Sequence, residues 1–61
     1  MNFKFAGINS RGNKCYNNGN TFIEEVNGDF WYLNQSPAYG FDGIEGEPWY
    51  KVKKDVINII E

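Results

Sequence analysis

The sequence predicts an all-β domain of about five short antiparallel strands, with one tight hairpin and one long loop. Three observations predict it. Apolar and polar residues alternate with a period of two in short runs such as NFKFAGI and WYKVK. Asn and Gly recur at short intervals and punctuate those runs. The dipeptide Asn27-Gly28 separates TFIEEV from DFWYLN, and both of its residues tolerate the positive φ that a type I′ turn requires.

The elements follow in order. Asn2 to Ile8 reads as a first strand, with Phe3, Phe5 and Ile8 as its apolar points. Asn9 to Asn20 is a loop that holds a short extended piece around Lys14 to Tyr16. Thr21 to Val26 and Asp29 to Asn34 are the two arms of the hairpin. A two-residue turn sets Val26 opposite Asp29, Glu25 opposite Phe30, Glu24 opposite Trp31, Ile23 opposite Tyr32 and Phe22 opposite Leu33. Opposed residues share a face. One face then carries Phe22, Val26, Trp31 and Leu33, the larger apolar set, and is taken as the core face. Glu24 falls on it too, so a bulge at Glu24-Glu25 is expected to turn that carboxylate outward. The other face carries Ile23, Phe30 and Tyr32.

Gln35 to Pro48 is a long loop, because its prolines and glycines exclude a central strand. Trp49 to Lys53 is a strand with Trp49, Lys51 and Lys53 on one side and Tyr50 and Val52 on the other. Lys54-Asp55 is a break. Val56 to Glu61 stays open between two readings. Val56, Ile59 and Ile60 have helical spacing after a candidate N-cap at Asp55, but the run is short and β-branched, which favours a last strand.

A chain of 61 residues makes one domain with a small core, and an aromatic content of 18% supplies the burial that so short a chain needs. One cysteine, Cys15, forms no internal disulfide, and the absence of histidine leaves no zinc cluster. The lone thiol and the lack of a signal-peptide run in MNFKFAGINSRGNK give a cytoplasmic location as the expectation. No run approaches a membrane span, and a net charge of −2 argues against duplex DNA. No cofactor is expected.

NNGNTFIEEVNGDFWYLN, then GEPWYKV, then KKDVINII follow one another in an order that resembles the small SH3-like proteins of bacteriophages. The likeness covers roughly residues 14–61 and is one of pattern. It implies an SH3-like barrel of about five strands and a phage or mobile-element origin. It implies no activity, since such barrels serve many functions.

Few residues could carry chemistry. Glu24 and Glu25 are neighbours on a strand and point to opposite faces, so they make a poor carboxylate pair. Cys15 lacks an evident activating base and reads as structural. Asp42, Glu45 and Glu47 lie in a Gly-rich loop without the ligand pattern of a calcium loop, and they suit contact with a basic partner. Phe3, Phe5, Phe22, Trp31, Leu33, Val52 and Ile59 suffice for a core. That leaves Tyr16, Phe30, Tyr32, Tyr39, Phe41 and one of Trp49 and Tyr50 in surplus.

The leading expectation is therefore a non-enzymatic protein-binding module. In the setting the resemblance implies, it is a phage factor that occludes a host bacterial protein of defence or transcription. Phe30, Tyr32, Tyr39 and Phe41 would enter the partner, and Asp42, Glu45 and Glu47 would meet its basic rim. The alternative is a binder of single-stranded nucleic acid or nucleotide through Trp49, Lys51, Lys53 and Lys54, where rings stack bases and lysines meet phosphates. A virion accessory role is the third reading. The expected state is a monomer or homodimer away from membranes.

Overall fold

A computed structural model describes residues 1–35 and 43–60 of the chain. The described residues form a single antiparallel-rich sheet of six strands in the order β5-β4-β3-β2-β1-β6. The strands are β1 (Asn2–Ile8), β2 (Lys14–Asn17), β3 (Phe22–Val26), β4 (Asp29–Asn34), β5 (Glu47–Val52) and β6 (Asn58–Ile60). Short 3-10 turns at Gly43–Glu45 and Lys54–Val56 precede β5 and β6. The two open readings of the C-terminal run thus resolve into one 3-10 turn followed by a strand. The sheet is not a closed barrel: β5 and β6 are its two edges, and there is one strand more than expected.

The hairpin forms in the expected register. Val26 pairs with Asp29, Glu25 with Phe30, Glu24 with Trp31 and Ile23 with Tyr32. Asn27 and Gly28 take φ values of 51° and 86°, the left-handed region that a type I′ turn needs. β3 carries no bulge at Glu24-Glu25. Register shifts occur instead in β1, between Phe5 and Gly7, and where β4 meets β5, between Tyr32 and Leu33. In the second, Leu33 pairs with Pro48 and Tyr32 with Tyr50, so Trp49 is the extra residue of a bulge.

The main core cluster lies on the face opposite to the expected one, although Leu33, expected in the core, and Cys15 are buried on the expected face. Cross-strand pairs carry Phe5, Tyr16, Ile23, Tyr32 and Tyr50 in one row across five strands. Phe3, Tyr16, Ile23 and Val52 are buried on this side, and Phe30, Tyr32 and Ile57 pack against them. The competing row reads Gly7, Cys15, Glu24, Trp31 and Lys51. Two charged groups and a glycine in that row outweigh the apolar surplus of Phe22, Val26, Trp31 and Leu33 on the hairpin alone. Tyr16, expected as surplus, is core, whereas Phe5 and Ile59, expected as core, are exposed.

Connectivity shows that the sheet curls. Five strand spacings of roughly 4.8 Å would separate the edges of a flat sheet by about 24 Å. Only Lys53–Ile57 join β5 to β6, and three of those residues are in a 3-10 turn. Such a link spans roughly 15–18 Å. The sheet therefore bends around the core side, which brings Phe3 of β1 and Val52 of β5 into one cluster. The Met1 ammonium donates to the Val56 carbonyl at 2.7 Å and Asn58 N donates to Met1 O at 2.8 Å, which fixes β6 beside β1.

The second face is covered in part by the segment 43–46. Gly46 is buried, and a Cβ there would run into the Asn34 carbonyl oxygen and the Gln35 amide, so only glycine fits this crossing. Gln35 Nε2 donates to Gly43 O at 2.9 Å and helps to hold the segment down.

Candidate binding surfaces

The most tightly organised polar group lies under that segment. Glu24 is fully buried, and its carboxylate accepts from Arg11 Nη2 at 2.9 Å, from Arg11 Nε at 3.1 and 3.2 Å and from Asn13 Nδ2 at 2.7 Å. Arg11 Nη2 also donates to Gly46 O at 2.7 Å. Asn9 Oδ1 accepts the backbone N–H groups of Arg11 and Asn13, which shapes the loop that delivers the guanidinium. Burial pushes the Glu24 pKa up, but the donors of Arg11, with Asn9 and Asn13, outweigh it and hold the carboxyl below its ordinary value. Asn9 Nδ2 contributes to that field without a hydrogen bond of good geometry to any group. Hydrogen bonding to Glu24 in turn raises the Arg11 pKa. Glu45 closes the arrangement by accepting from Ser10 Oγ at 2.6 Å and Ser10 N at 2.9 Å. These donors tie the β1–β2 loop to β3 through Glu24 and to the segment 43–46 through Gly46 O and Glu45, so the cluster is a structural staple.

Cys15 sits beside the staple, fully buried, with Sγ 3.7 Å from Asn13 O and 3.9 Å from Ile44 O. Burial, reinforced by the charge of Glu24, pushes its thiol up to about 11. It remains a thiol at neutral pH and makes a poor nucleophile. Among the described residues, no three metal-ligating side chains come together.

The residues grouped from the sequence into one partner site are distributed over both faces. Phe30 lies on the core side, half-buried, with its ring edge-on to Tyr16 at 5.9 Å. Tyr32 lies on the same side and stacks at a tilt on Tyr50 at 4.8 Å. Glu45 is on the opposite side, engaged with Ser10, and Glu47 opens β5 in an exposed position. Tyr39, Phe41 and Asp42 lie outside the described residues.

The alternative set, expected on one side of the strand, is divided over two: Trp49, on its bulge, joins Tyr50 and Tyr32 at one groove, whereas Lys51 pairs with Trp31 in the other row and Lys53 and Lys54 lie just beyond the strand. Trp49 is 68% exposed on its bulge, and Tyr50 beside it is 54% exposed. Their rings meet edge-on at 5.7 Å. Lys51, Lys53 and Lys54 follow, all exposed, with Lys51 Nζ 3.9 Å from Asp29.

A third surface was not anticipated. Among the described residues, Met1, Phe5, Ile8, Val56, Ile59 and Ile60 are exposed, and all six lie in or next to β1 and β6. Phe5, Phe22 and Ile60 line a groove of about 510 Å³ whose rim includes Lys4 and Asn17. Phe5 was legible as an alternating position, but its exposure was not. That depends on β6 being only three residues long and unable to cover it. No described helix is long and apolar enough to cross a membrane.

Comparison with known proteins adds no identity: the chain matches no family model, no curated protein and no solved structure.

Proposed function

We propose that this protein is a non-enzymatic binding module that takes an extended segment of a partner protein along the β6 edge. The observation that carries this reading is the concentration of exposed apolar side chains at β1 and β6. Exposed apolar side chains gathered at one edge of a sheet are characteristic of interaction sites. The two edges of the sheet also differ in kind. β5 carries Pro48, a bulge at Trp49 and Lys51, devices that discourage strand addition. β6 is Asn-Ile-Ile, with no charge, proline or bulge. Added main-chain hydrogen bonds would give affinity, and the groove at Phe5 and Ile60 would select apolar side chains. Lys4 at the rim favours a carboxylate on the partner segment.

The setting we propose follows from the sequence resemblance: a phage-encoded factor, acting in the host cytoplasm, that occludes a bacterial protein. The SH3-like assignment belongs to the same proposal. It is supported by a meander of strands followed by a 3-10 turn and a short strand returning to β1. The test is capture of partner from bacterial lysate by the tagged protein and by its Phe5→Ser and Ile60→Asp variants. Both positions are exposed, so both variants should fold, which circular dichroism checks. Loss of one captured protein with both variants is the expected result. Capture that is indifferent to both would sink the assignment of the surface.

A further inference from the structure

The sequence holds two Asn-Gly pairs, Asn18-Gly19 and Asn27-Gly28. A glycine after asparagine carries no Cβ to shield its amide nitrogen, so that nitrogen can reach the side-chain carbonyl carbon of the asparagine. The fold treats the two pairs differently. Gly19 N donates to Asn17 Oδ1 at 2.8 Å, and Asn18 Oδ1 accepts from Asn20 N at 3.0 Å and from Thr21 N at 2.8 Å. Both reacting groups of the first pair are therefore engaged. Asn27 is exposed at the tip of the β3–β4 hairpin. Among the described residues, neither its side chain nor the Gly28 N–H is held by a hydrogen bond. A cation stands beside this second pair. Lys54 Nζ lies 3.7 Å from where a Cβ on Gly28 would stand, and among the described residues Lys54 is in no ion pair. The ladder brings it there: Phe30 pairs with Val52, and two residues onward the chains reach Gly28 and Lys54.

We propose that Asn27 is a selective site of spontaneous deamidation, with Lys54 promoting the step. Gly28 N loses its proton to hydroxide and attacks Asn27 Cγ. The bond from Cγ to the side-chain nitrogen breaks, and that nitrogen leaves as ammonia with a proton from water. Water then opens the cyclic imide at either carbonyl, which gives aspartate or isoaspartate. Asparagine and water thus become an acid and ammonia, and nothing is oxidised or reduced. The Lys54 ammonium stabilises the negative charge that passes from the amide nitrogen to the oxygen on Cγ. The aspartate product tolerates the left-handed φ of 51° and offers its carboxylate to Lys54. The isoaspartate product adds a methylene to the backbone of a two-residue turn and no longer fits type I′ geometry. This chemistry is independent of binding at the β6 edge and stands or falls separately.

The experiment is incubation of the full chain at about pH 8 and about 37 °C, folded and in urea, with conversion at each asparagine followed by peptide mapping and tandem mass spectrometry. In the folded protein Asn27 should convert at least about 10-fold faster than Asn18, the factor that breaking one or two net hydrogen bonds imposes. In urea the two should convert at similar rates. Lys54→Ala should slow Asn27 about 2- to 5-fold in the folded protein and leave the rate in urea unchanged, and Lys54→Arg should keep the parent rate. Lys54 is exposed, so both variants should fold, which circular dichroism checks. Equal conversion of Asn18 and Asn27 in the folded protein overturns the proposal, as does an Asn27 that folding protects as strongly as Asn18. A rate indifferent to Lys54→Ala overturns the part assigned to that cation.

Discussion

Removing the Arg11 side chain tests the staple most directly. Arg11→Ala removes three of the four donor contacts of Glu24, which is fully buried in the parent, those from Nε and Nη2. Breaking a buried pair by deleting one partner costs about 3–5 kcal/mol. The lower end applies, because the Arg11 side chain is 37% exposed and water can follow it into the gap. Loss of the Gly46 O contact adds to the same defect. At roughly 0.05–0.15 kcal/mol per residue, a 61-residue domain has only about 3–9 kcal/mol of stability. The variant should therefore lose a third or more of its stability and be partly unfolded near 37 °C. Urea titration followed by tryptophan fluorescence measures this, and Arg11→Met with Glu24→Met should recover much of the loss by removing both charges.

A pH dependence accompanies it. Because the folded Glu24 pKa is lowered, its contribution is fully present above the unfolded carboxyl value. It is lost as pH falls through the folded value, so the parent should lose stability on acidification and Arg11→Ala should lose less. A cost for Arg11→Ala below about 1 kcal/mol, with an unchanged acid profile, would refute the view that a buried ionised carboxylate is held by the guanidinium.

Three further outcomes are expected. Gly46→Ala should destabilise by about 1–3 kcal/mol, since its Cβ meets backbone at Asn34, and a thermal melt would show it. Gly28→Ala, at φ 86°, should cost about 1 kcal/mol, or roughly 4–8 °C in Tm, without altering the β3–β4 register seen by backbone amide NMR. Cys15, with its thiol at about 11, should react with a disulfide reagent at pH 8 about two orders of magnitude more slowly in the folded protein than in urea.

The hairpin was legible because its information is local. Asn27-Gly28 dictates a turn type, the turn type dictates the register, and the pairs Val26–Asp29 to Ile23–Tyr32 follow. The core face was not legible from the hairpin, because its choice is made by residues far away in the chain. Tyr16 joins Ile23, and Val52 joins Phe30, only after β2 and β5 have taken their places. Glu24 illustrates the same limit. On the strand it is an apolar-face misfit, and nothing nearby shows that Arg11, thirteen residues earlier, will neutralise it. The surplus of aromatic residues was legible, but its position depended on the bulge at Trp49, which no spacing in EPWYKV reveals. Three of the seven residues proposed as the partner site, Tyr39, Phe41 and Asp42, fall outside the described residues.

The curl of the sheet connects fold and proposed function. The five-residue link Lys53–Ile57 holds the near ends of β5 and β6 within roughly 15–18 Å, closer than a flat sheet allows, while the two strands stay unpaired. Closing the gap between them with the chain's own strands would remove the β6 edge and bury the groove at Phe5 and Ile60. Opening it further would separate Phe3 from Val52 and cost core packing. The short link therefore preserves the core, and β6 remains an edge of the sheet. The protection of β5 by Pro48, Lys51 and the Trp49 bulge leaves β6 as the less guarded edge. The same bulge turns Trp49 away from the pleat and into solvent, so one device both guards the edge and displays the ring.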